Sequence, residues 1–154
     1  MHTAEQPPGP AATPPPLHTY DYAVIRVVPR VEREEFVNVG VILSCPATAF
    51  LQARIELDEA RLLALDPCID LAPVHRHLAA FVAVTAGGPG GGPIGALPAR
   101  ARFHWLTARR SSMIQTSPVH LGRCADAAAA LEHLLVRMVR LPTPPAPPMP
   151  PLRP

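Results

Sequence analysis

Three apolar-rich segments in the first half of the chain predict β-strands, two of them through alternation of apolar and polar positions with a period of two. Residues 20–28 are rich in Tyr, Val and Ile and end at Pro29. Residues 37–45 and 50–57 alternate between apolar and polar positions, whereas alternation is blurred in residues 20–28. Such residues favour a pleated, partly buried surface, and a proline cannot donate to a strand ladder. Gly40, inside the second segment, predicts a bulge or the close approach of another backbone.

Strict alternation assigns each side chain of the second segment to one of two faces. One face holds a row of apolar residues: Val37, Val39, Val41, Leu43 and Cys45. The opposite face holds Asn38, Gly40, Ile42 and Ser44. The first segment is apolar on both faces, which predicts a strand that is covered on both sides.

Apolar residues spaced three and four apart predict helices in the rest of the chain. Asp58 is expected to cap a short helix over residues 59–65, and a longer helix follows from about residue 71 to Thr85. The last helix is predicted over residues 126–141, because Pro142 cannot continue it.

Two further strands are predicted between the long helices. Ala99–Leu106 alternates, with Phe103 and Trp105 facing inward, and Met113–Val119 is its expected partner strand. The glycine-rich segment 87–98 that precedes them is predicted to be a loop. It lacks the preceding strand, the following helix and the lysine that a phosphate-binding loop requires.

The predicted order is β-β-β-α-α-β-β-α, an α+β fold with two main helices on one face of a mostly antiparallel sheet of about five strands. Residues 20–141 are expected to form this single domain. Of the 22 prolines, 14 lie within residues 1–19 and 142–154. These two segments have no apolar pattern, which predicts disordered tails.

The chain has no lysine, and its 14 basic residues are all arginine. The formal net charge of +2 is too small to require a nucleic-acid partner. The charges are unevenly distributed: residues 20–70 hold five arginines against nine acidic residues, and residues 71–141 hold eight against two. This asymmetry indicates either that the two halves pack together by charge complementarity or that a polar binding site lies where they meet.

Targeting and membrane signals are missing from the sequence. The first 17 residues are polar and proline-rich, unlike a signal peptide, and no apolar run reaches the roughly 18–20 residues that span a bilayer. The three cysteines have no C-x-x-C spacing. A cytoplasmic protein with reduced thiols is expected.

Two short segments resemble a known family. The residues Arg26-Val-Val-Pro29 and Glu35-Phe36-Val37-Asn38-Val39-Gly40, followed by an apolar run, are similar to the signature of the bacterial family catalogued as domain of unknown function 3037. A looser similarity continues through Trp105–Ser112 and Thr116–Pro118. The resemblance implies a small bacterial protein without an established reaction. It also suggests gene neighbours that encode kinase-like proteins of the HipA toxin type, and hence a protein partner.

The strongest polar cluster lies on the first hairpin and consists of Arg26, Glu32, Glu35 and Asn38. In an antiparallel hairpin these positions come near one another. One interpretation is structural: an Arg26–Glu35 salt bridge fixes the connector, and Asn38 bonds turn backbone. The other is a polar pocket for a small ligand or a partner's chain, with the carboxylates available for acid–base catalysis or a divalent ion.

A second, basic cluster follows on the predicted strand and turn at residues 100–112. It comprises Arg100, Arg102, His104, Arg109, Arg110, Ser111 and Ser112. Phosphate could meet such a cluster, but interleaved aromatic residues for base stacking are missing. A solvated face, or one that pairs with the acidic half, is the alternative.

No catalytic or metal motif stands out in the sequence. His75 and His77 lack the four-residue spacing of a helical zinc pair, and no G-x-S-x-G elbow is present. Cofactors and oligomeric state are left unassigned. The favoured hypothesis is a non-catalytic domain that binds another bacterial protein through the 26–40 hairpin and the Arg109–Ser112 turn. The alternatives are a ligand- or nucleotide-binding enzyme using Arg26, Glu35 and Asn38, and nucleic-acid binding through the Arg-rich strand at 100–110.

Overall fold

A computed structural model describes residues 7–151 of the chain. This part contains five strands: β1 (His18–Val27), β2 (Val37–Cys45), β3 (Phe50–Ile55), β4 (Ile114–Thr116) and β5 (His120–Cys124). They form one antiparallel sheet in the order β3-β2-β1-β4, and β5 also pairs with β1. The predicted α+β class and the antiparallel sheet are confirmed.

The described residues also form five α-helices: α1 (Glu59–Leu65), α2 (Leu71–Ala86), α3 (Gly92–Gly95), α4 (Ala99–Thr107) and α5 (Ala127–Met138). Short 3₁₀ turns lie at Val31–Arg33, Pro46–Thr48 and Pro89–Gly91. The carboxylates of Asp58, Asp70 and Asp126 accept from backbone amides of the first turns of α1, α2 and α5. Each aspartate therefore satisfies donors that have no partner within the helix.

β1 is the central strand because three other strands pair along it. One edge pairs with β2, and the other edge pairs with β4 near Ile25–Val27 and with β5 at His18–Tyr22. Ser117 closes the gap between β4 and β5. Its amide donates to the Val24 carbonyl, and its hydroxyl oxygen accepts from the Val24 amide, each over 2.8 Å.

A bulge interrupts the β1–β2 pairing at the position of Gly40. Ile25 pairs with Gly40 and Arg26 pairs with Asn38, so Val39 is the extra residue. A Cβ atom on Gly40 would overlap the carbonyl oxygen of Arg54 in β3. The predicted bulge and close backbone approach are therefore both present.

The bulge inverts the alternation of β2. Before it, Val37 and Val39 pack in one apolar cluster with α2 and α4, whereas after it Val41, Leu43 and Cys45 pack in a second cluster with α5. The prediction that these five residues share one face is wrong, because an extra residue shifts a period of two by one position. The two main helices α2 and α5 accordingly belong to different clusters, so the prediction that they pack on one face is also wrong.

Residues 99–107 form helix α4 and not the predicted strand. Phe103 and Leu106, three residues apart, are buried against the sheet, while Trp105 remains 41% exposed instead of facing inward. The neighbouring arginines bond within the protein: Arg100 to Asp21 and Ser44, and Arg102 to the Leu97 carbonyl. Tertiary contacts of these long side chains stabilise a helix that the short alternation did not indicate.

The strand predicted over residues 113–119 is reduced to β4 at Ile114–Thr116, and the following strand β5 was not predicted. β5 has a single large apolar residue, Leu121, which is 73% exposed, and it contains Gly122. A strand with so little buried surface has no recognisable alternation. The ring of Tyr20, which pairs with Gly122, occupies the space that a side chain at that position would need.

Residues 7–17 and 141–151 have no regular secondary structure, and they are exposed. β1 begins at His18, so the last two residues of the predicted tail over residues 1–19 belong to the sheet. The remainder of both predicted tails, residues 1–6 and 152–154, lies outside the described residues. None of the helices within the described range has the length and apolar character needed to cross a bilayer.

Candidate functional site

Arg26 lies on the face of the sheet that α5 covers, close to the end of that helix. It pairs across β1–β2 with Asn38 and across β1–β4 with Gln115, so these three side chains share one face. The Asn38 side-chain amide donates to the carbonyl of Met138, the last residue of α5, over 3.0 Å. Helix α5 therefore ends beside Asn38 and leaves the surface around Arg26 and Gln115 uncovered.

A cavity of about 580 Å³ opens over this uncovered surface. Its lining combines basic, polar and apolar residues with one acidic residue: Arg26, Val28, Val31, Glu34, Phe36, Arg109, Arg110, Ser111 and Gln115. A second cavity of about 450 Å³ adjoins it and shares Arg26, Arg109, Arg110 and Gln115. We call these two adjoining cavities the basic cleft, and the four shared residues lie at its centre.

Two of the cleft arginines stack on aromatic rings. The central guanidinium carbon of Arg26 lies 4.0 Å from the centroid of the Phe36 ring, and that of Arg110 lies 3.9 Å from the centroid of the Trp105 ring. Arg110 also donates to the Trp105 carbonyl. Partial burial lowers the pKa of both Arg26 and Arg110, because a charged group loses favourable hydration when it leaves water.

The cleft arginines differ from several others in having no acidic partner. Ion pairs within 4.0 Å are present at other arginines: Arg30, Arg33, Arg54, Arg100 and Arg140. Within residues 7–151 no such pair includes Arg26, Arg109 or Arg110, and the buried Nε of Arg26 has no hydrogen-bond partner. Glu34 also lines the larger cavity but forms no ion pair with these arginines, so the cleft carries an excess of positive charge.

The structure brings four of the sequence-predicted residues together in the cleft: Arg26, Arg109, Arg110 and Ser111. Arg26 belongs to the central strand, and the other three belong to the turn between α4 and β4. They meet because β4 pairs antiparallel with the end of β1, which places residue 115 opposite residue 26.

The other predicted residues do not line the cleft. Glu35 forms an ion pair with Arg33 and lines a separate cavity of about 230 Å³ beside Asp66, so the expected Arg26–Glu35 bridge is not formed. Glu32 is exposed in the 3₁₀ turn at Val31–Arg33. Gly40 is buried in the bulge. Asn38 neighbours Arg26 in register, but its amide bonds α5.

Sequence reasoning missed the aromatic residues and Gln115. Phe36 and Trp105 are 44% and 41% exposed, and each stacks on a cleft arginine. The sequence signal for Phe36 was a large aromatic residue directly after the acidic pair Glu34-Glu35. Glu34, which ends the 3₁₀ turn with a φ of 55°, also lines the cleft and was not selected.

The chemistry available in the cleft is that of anion recognition. Guanidinium groups bind carboxylates and phosphates through paired hydrogen bonds, and the Gln115 amide and Ser111 hydroxyl add neutral donors. The lining of the larger cavity contains no histidine or cysteine among the described residues. No three His, Cys, Asp or Glu side chains within residues 7–151 come together as metal ligands.

The Arg-rich strand on which the nucleic-acid hypothesis rested is helix α4. Arg100 forms an ion pair with the buried Asp21, and Arg102 bonds backbone carbonyls, so neither presents a free strand face to phosphate. Arg109 and Arg110, beyond the end of α4, are the arginines of the 100–110 segment that line the cleft.

A comparison with protein-family models confirms the family that the hairpin residues resemble. The family described as "Protein of unknown function (DUF3037)" matches residues 22–139, which include the whole basic cleft. No curated protein and no solved structure matches the chain. The matched region begins within β1 and continues to the end of α5, and the chain belongs to the DUF3037 family.

Proposed function

We propose that this protein is a non-catalytic binding module and that the basic cleft receives an acidic segment of a partner protein. The observation that carries the proposal is the set of three arginines in one concave surface without an acidic partner among the described residues. A partly desolvated cation with no counter-charge is unfavourable. A carboxylate of a partner would supply that counter-charge through paired hydrogen bonds with a guanidinium group.

The residues around the arginines support a protein partner more than a free ion. Phe36 and Trp105 are exposed at the rim, each stacked on a cleft arginine. Aromatic residues and arginine are the types enriched at the centres of protein interfaces, where they contribute most of the binding energy. Stacking also holds the guanidiniums in place, so less conformational entropy is lost when a partner binds.

The proposed partner is another bacterial protein in the cytoplasm. A kinase-like protein of the HipA type is the first candidate to test, because the family resemblance suggests such a gene neighbour. The competing proposal is a small anionic ligand such as a nucleotide, because a cavity of about 580 Å³ is large enough for one.

Affinity purification from the native host tests the proposal. The wild-type protein, Arg109→Ser and Arg123→Ser are compared, because both arginines are exposed but Arg123 lies in β5 outside the cleft. We expect one partner, identified by mass spectrometry, that binds wild type and Arg123→Ser, is lost with Arg109→Ser, and dissociates as salt is raised.

Three results would overturn the proposal. A partner that binds Arg109→Ser as well as wild type would place the contact surface elsewhere. Recovery of no partner, together with thermal stabilisation by a nucleotide that Arg109→Ser abolishes, would favour the small-ligand alternative. If no partner is recovered and no nucleotide shifts the melting temperature, the cleft has no binding role.

A further inference from the structure

Beside the basic cleft lies a second concavity of different character, between α2, α4 and β4. Its volume is about 210 Å³, and its apolar wall includes Ala80, Phe81, Val84, Leu106, Met113 and Ile114. We call it the apolar cavity. It is several times the roughly 30 Å³ that one water molecule occupies, so a branched aliphatic or aromatic side chain can enter it.

The apolar cavity and the basic cleft border one another at the edge strand β4. Arg110 and Gln115 line both, and Trp105, the ring on which Arg110 stacks, lines the apolar cavity. Arg110 and Gln115 therefore lie at the border between the charged compartment and the apolar one. A ligand that lies across Arg110 and Gln115 reaches both compartments at once.

We infer that the partner segment carries a large apolar side chain next to its carboxylates, and that this side chain enters the apolar cavity. The inference rests on the proposed function, since it describes the segment that the basic cleft would receive. Charge complementarity selects the acidic part, and burial of the apolar side chain adds affinity that a purely acidic segment lacks. Full burial of one such side chain is expected to strengthen binding roughly tenfold or more.

A second copy of this chain is the competing occupant. Its exposed connector contains Glu34, Glu35 and Phe36, which have the same acidic and apolar chemistry. The same connector also lines the cleft through Glu34 and Phe36, so an exchange between two copies would be reciprocal. The oligomeric state of the free protein therefore has to be measured along with peptide binding.

Two fluorescently labelled peptides test the inference: Asp-Asp-Leu-Asp-Asp and Asp-Asp-Ser-Asp-Asp. They have equal charge and differ in one apolar side chain. Anisotropy is measured with the wild-type protein, Ala80→Leu, Ala79→Leu and Arg109→Ser. Ala80 and Ala79 are neighbouring exposed residues of α2, and Ala80 lines the apolar cavity whereas Ala79 does not. Leucine is a good helix former, so both variants are expected to fold, and circular dichroism checks this.

The expected result is that the leucine peptide binds wild type at least about tenfold more tightly than the serine peptide. Ala80→Leu fills the cavity and should remove this preference, while Ala79→Leu should keep it. Arg109→Ser should weaken both peptides.

The possible failures are distinguishable. Equal binding of both peptides to wild type, with weaker binding to Arg109→Ser, would overturn the apolar-anchor inference and leave the acidic-segment proposal standing. Binding of neither peptide would overturn both. A dimer in light scattering that Phe36→Ser dissociates would identify a second copy as the occupant and overturn the inference of a separate partner.

Discussion

The guanidinium of Arg26 stacks on the ring of Phe36, with 4.0 Å between its central carbon and the ring centroid. This contact ties the central strand to the end of the acidic connector. It replaces the Arg26–Glu35 ion pair that charge alone would favour, because Glu35 pairs instead with Arg33, two residues away. Arg26 thus keeps its charge available in the cleft, while an exposed ring fixes its position.

Removal of this ring should affect binding more than folding. Phe36 is 44% exposed, so Phe36→Ala is expected to lower the free energy of unfolding by about 1 kcal/mol, the order of an exposed cation–π contact with modest loss of burial. Urea unfolding measures this, and partner binding is measured on the same variant. A loss of stability above about 3 kcal/mol would mean that Phe36 belongs to the core.

Asp21 is expected to be the most stabilising of the acidic residues. It is 7% exposed and forms an ion pair with Arg100 of α4, which also bonds Ser44. Asp21→Ala leaves Arg100 without its partner. Because the Arg100 side chain is partly exposed, we expect the free energy of unfolding to fall by about 1–3 kcal/mol, less than the full cost of breaking a buried pair.

Glu35→Ala is the matched control for Asp21→Ala. It removes the carboxylate of an exposed pair and should change the free energy of unfolding by less than about 1 kcal/mol. Both values come from urea unfolding at neutral pH. Equal effects would show that Asp21 does not hold α4 against the sheet.

Gly40→Ala should destabilise the sheet at the bulge. The added Cβ meets the backbone carbonyl of Arg54, which cannot rotate away as a side chain can, so we expect a loss of about 1–3 kcal/mol. Gly90→Ala serves as the control, because a Cβ there meets nothing within 4 Å. A thermal melt in which the two variants unfold at the same temperature would contradict the close approach of β2 and β3.

Stability should fall in acid through the cluster that joins α5 to β3. Arg140 bonds Glu56 and Glu132, and these hydrogen bonds lower the pKa of both carboxyls from the usual 4.5. A lowered folded-state pKa contributes stability above the unfolded value, and that contribution is lost as pH falls through the lower folded-state value. Urea midpoints should therefore decrease as the pH falls from 5 to 3.

Arg140→Ala tests the cause of this pH dependence. It removes the hydrogen bonds that Arg140 donates to both glutamates, while Glu132 keeps its bond from Arg54. The decrease of the urea midpoint in acid should therefore become smaller than in wild type. High salt should act in the same direction, because these groups are solvent-accessible and screened. An unchanged pH profile in the variant would assign the acid sensitivity to other carboxylates.

The features that follow from local chemistry were predictable from the sequence. The Tyr, Val and Ile content of residues 20–28 predicted β1, alternation over 37–45 and 50–57 predicted β2 and β3, and aspartates at 58 and 126 marked the starts of α1 and α5. Gly40 marked the bulge. Each of these depends on neighbouring residues in the chain, since propensity, capping and backbone freedom act over a few positions.

Only the tertiary structure decided which face each side chain occupies and which charges meet. One extra residue in the bulge moved Val41 to the face opposite Val39, and contacts with distant Asp21 and Ser44 accompany a helix at residues 99–107. The cleft itself joins residue 26 to residues 109–115, more than 80 positions later, through the pairing of β1 with β4. Local sequence cannot determine such a meeting, because ion-pair partners and clefts depend on distances that exist only after the strands have paired.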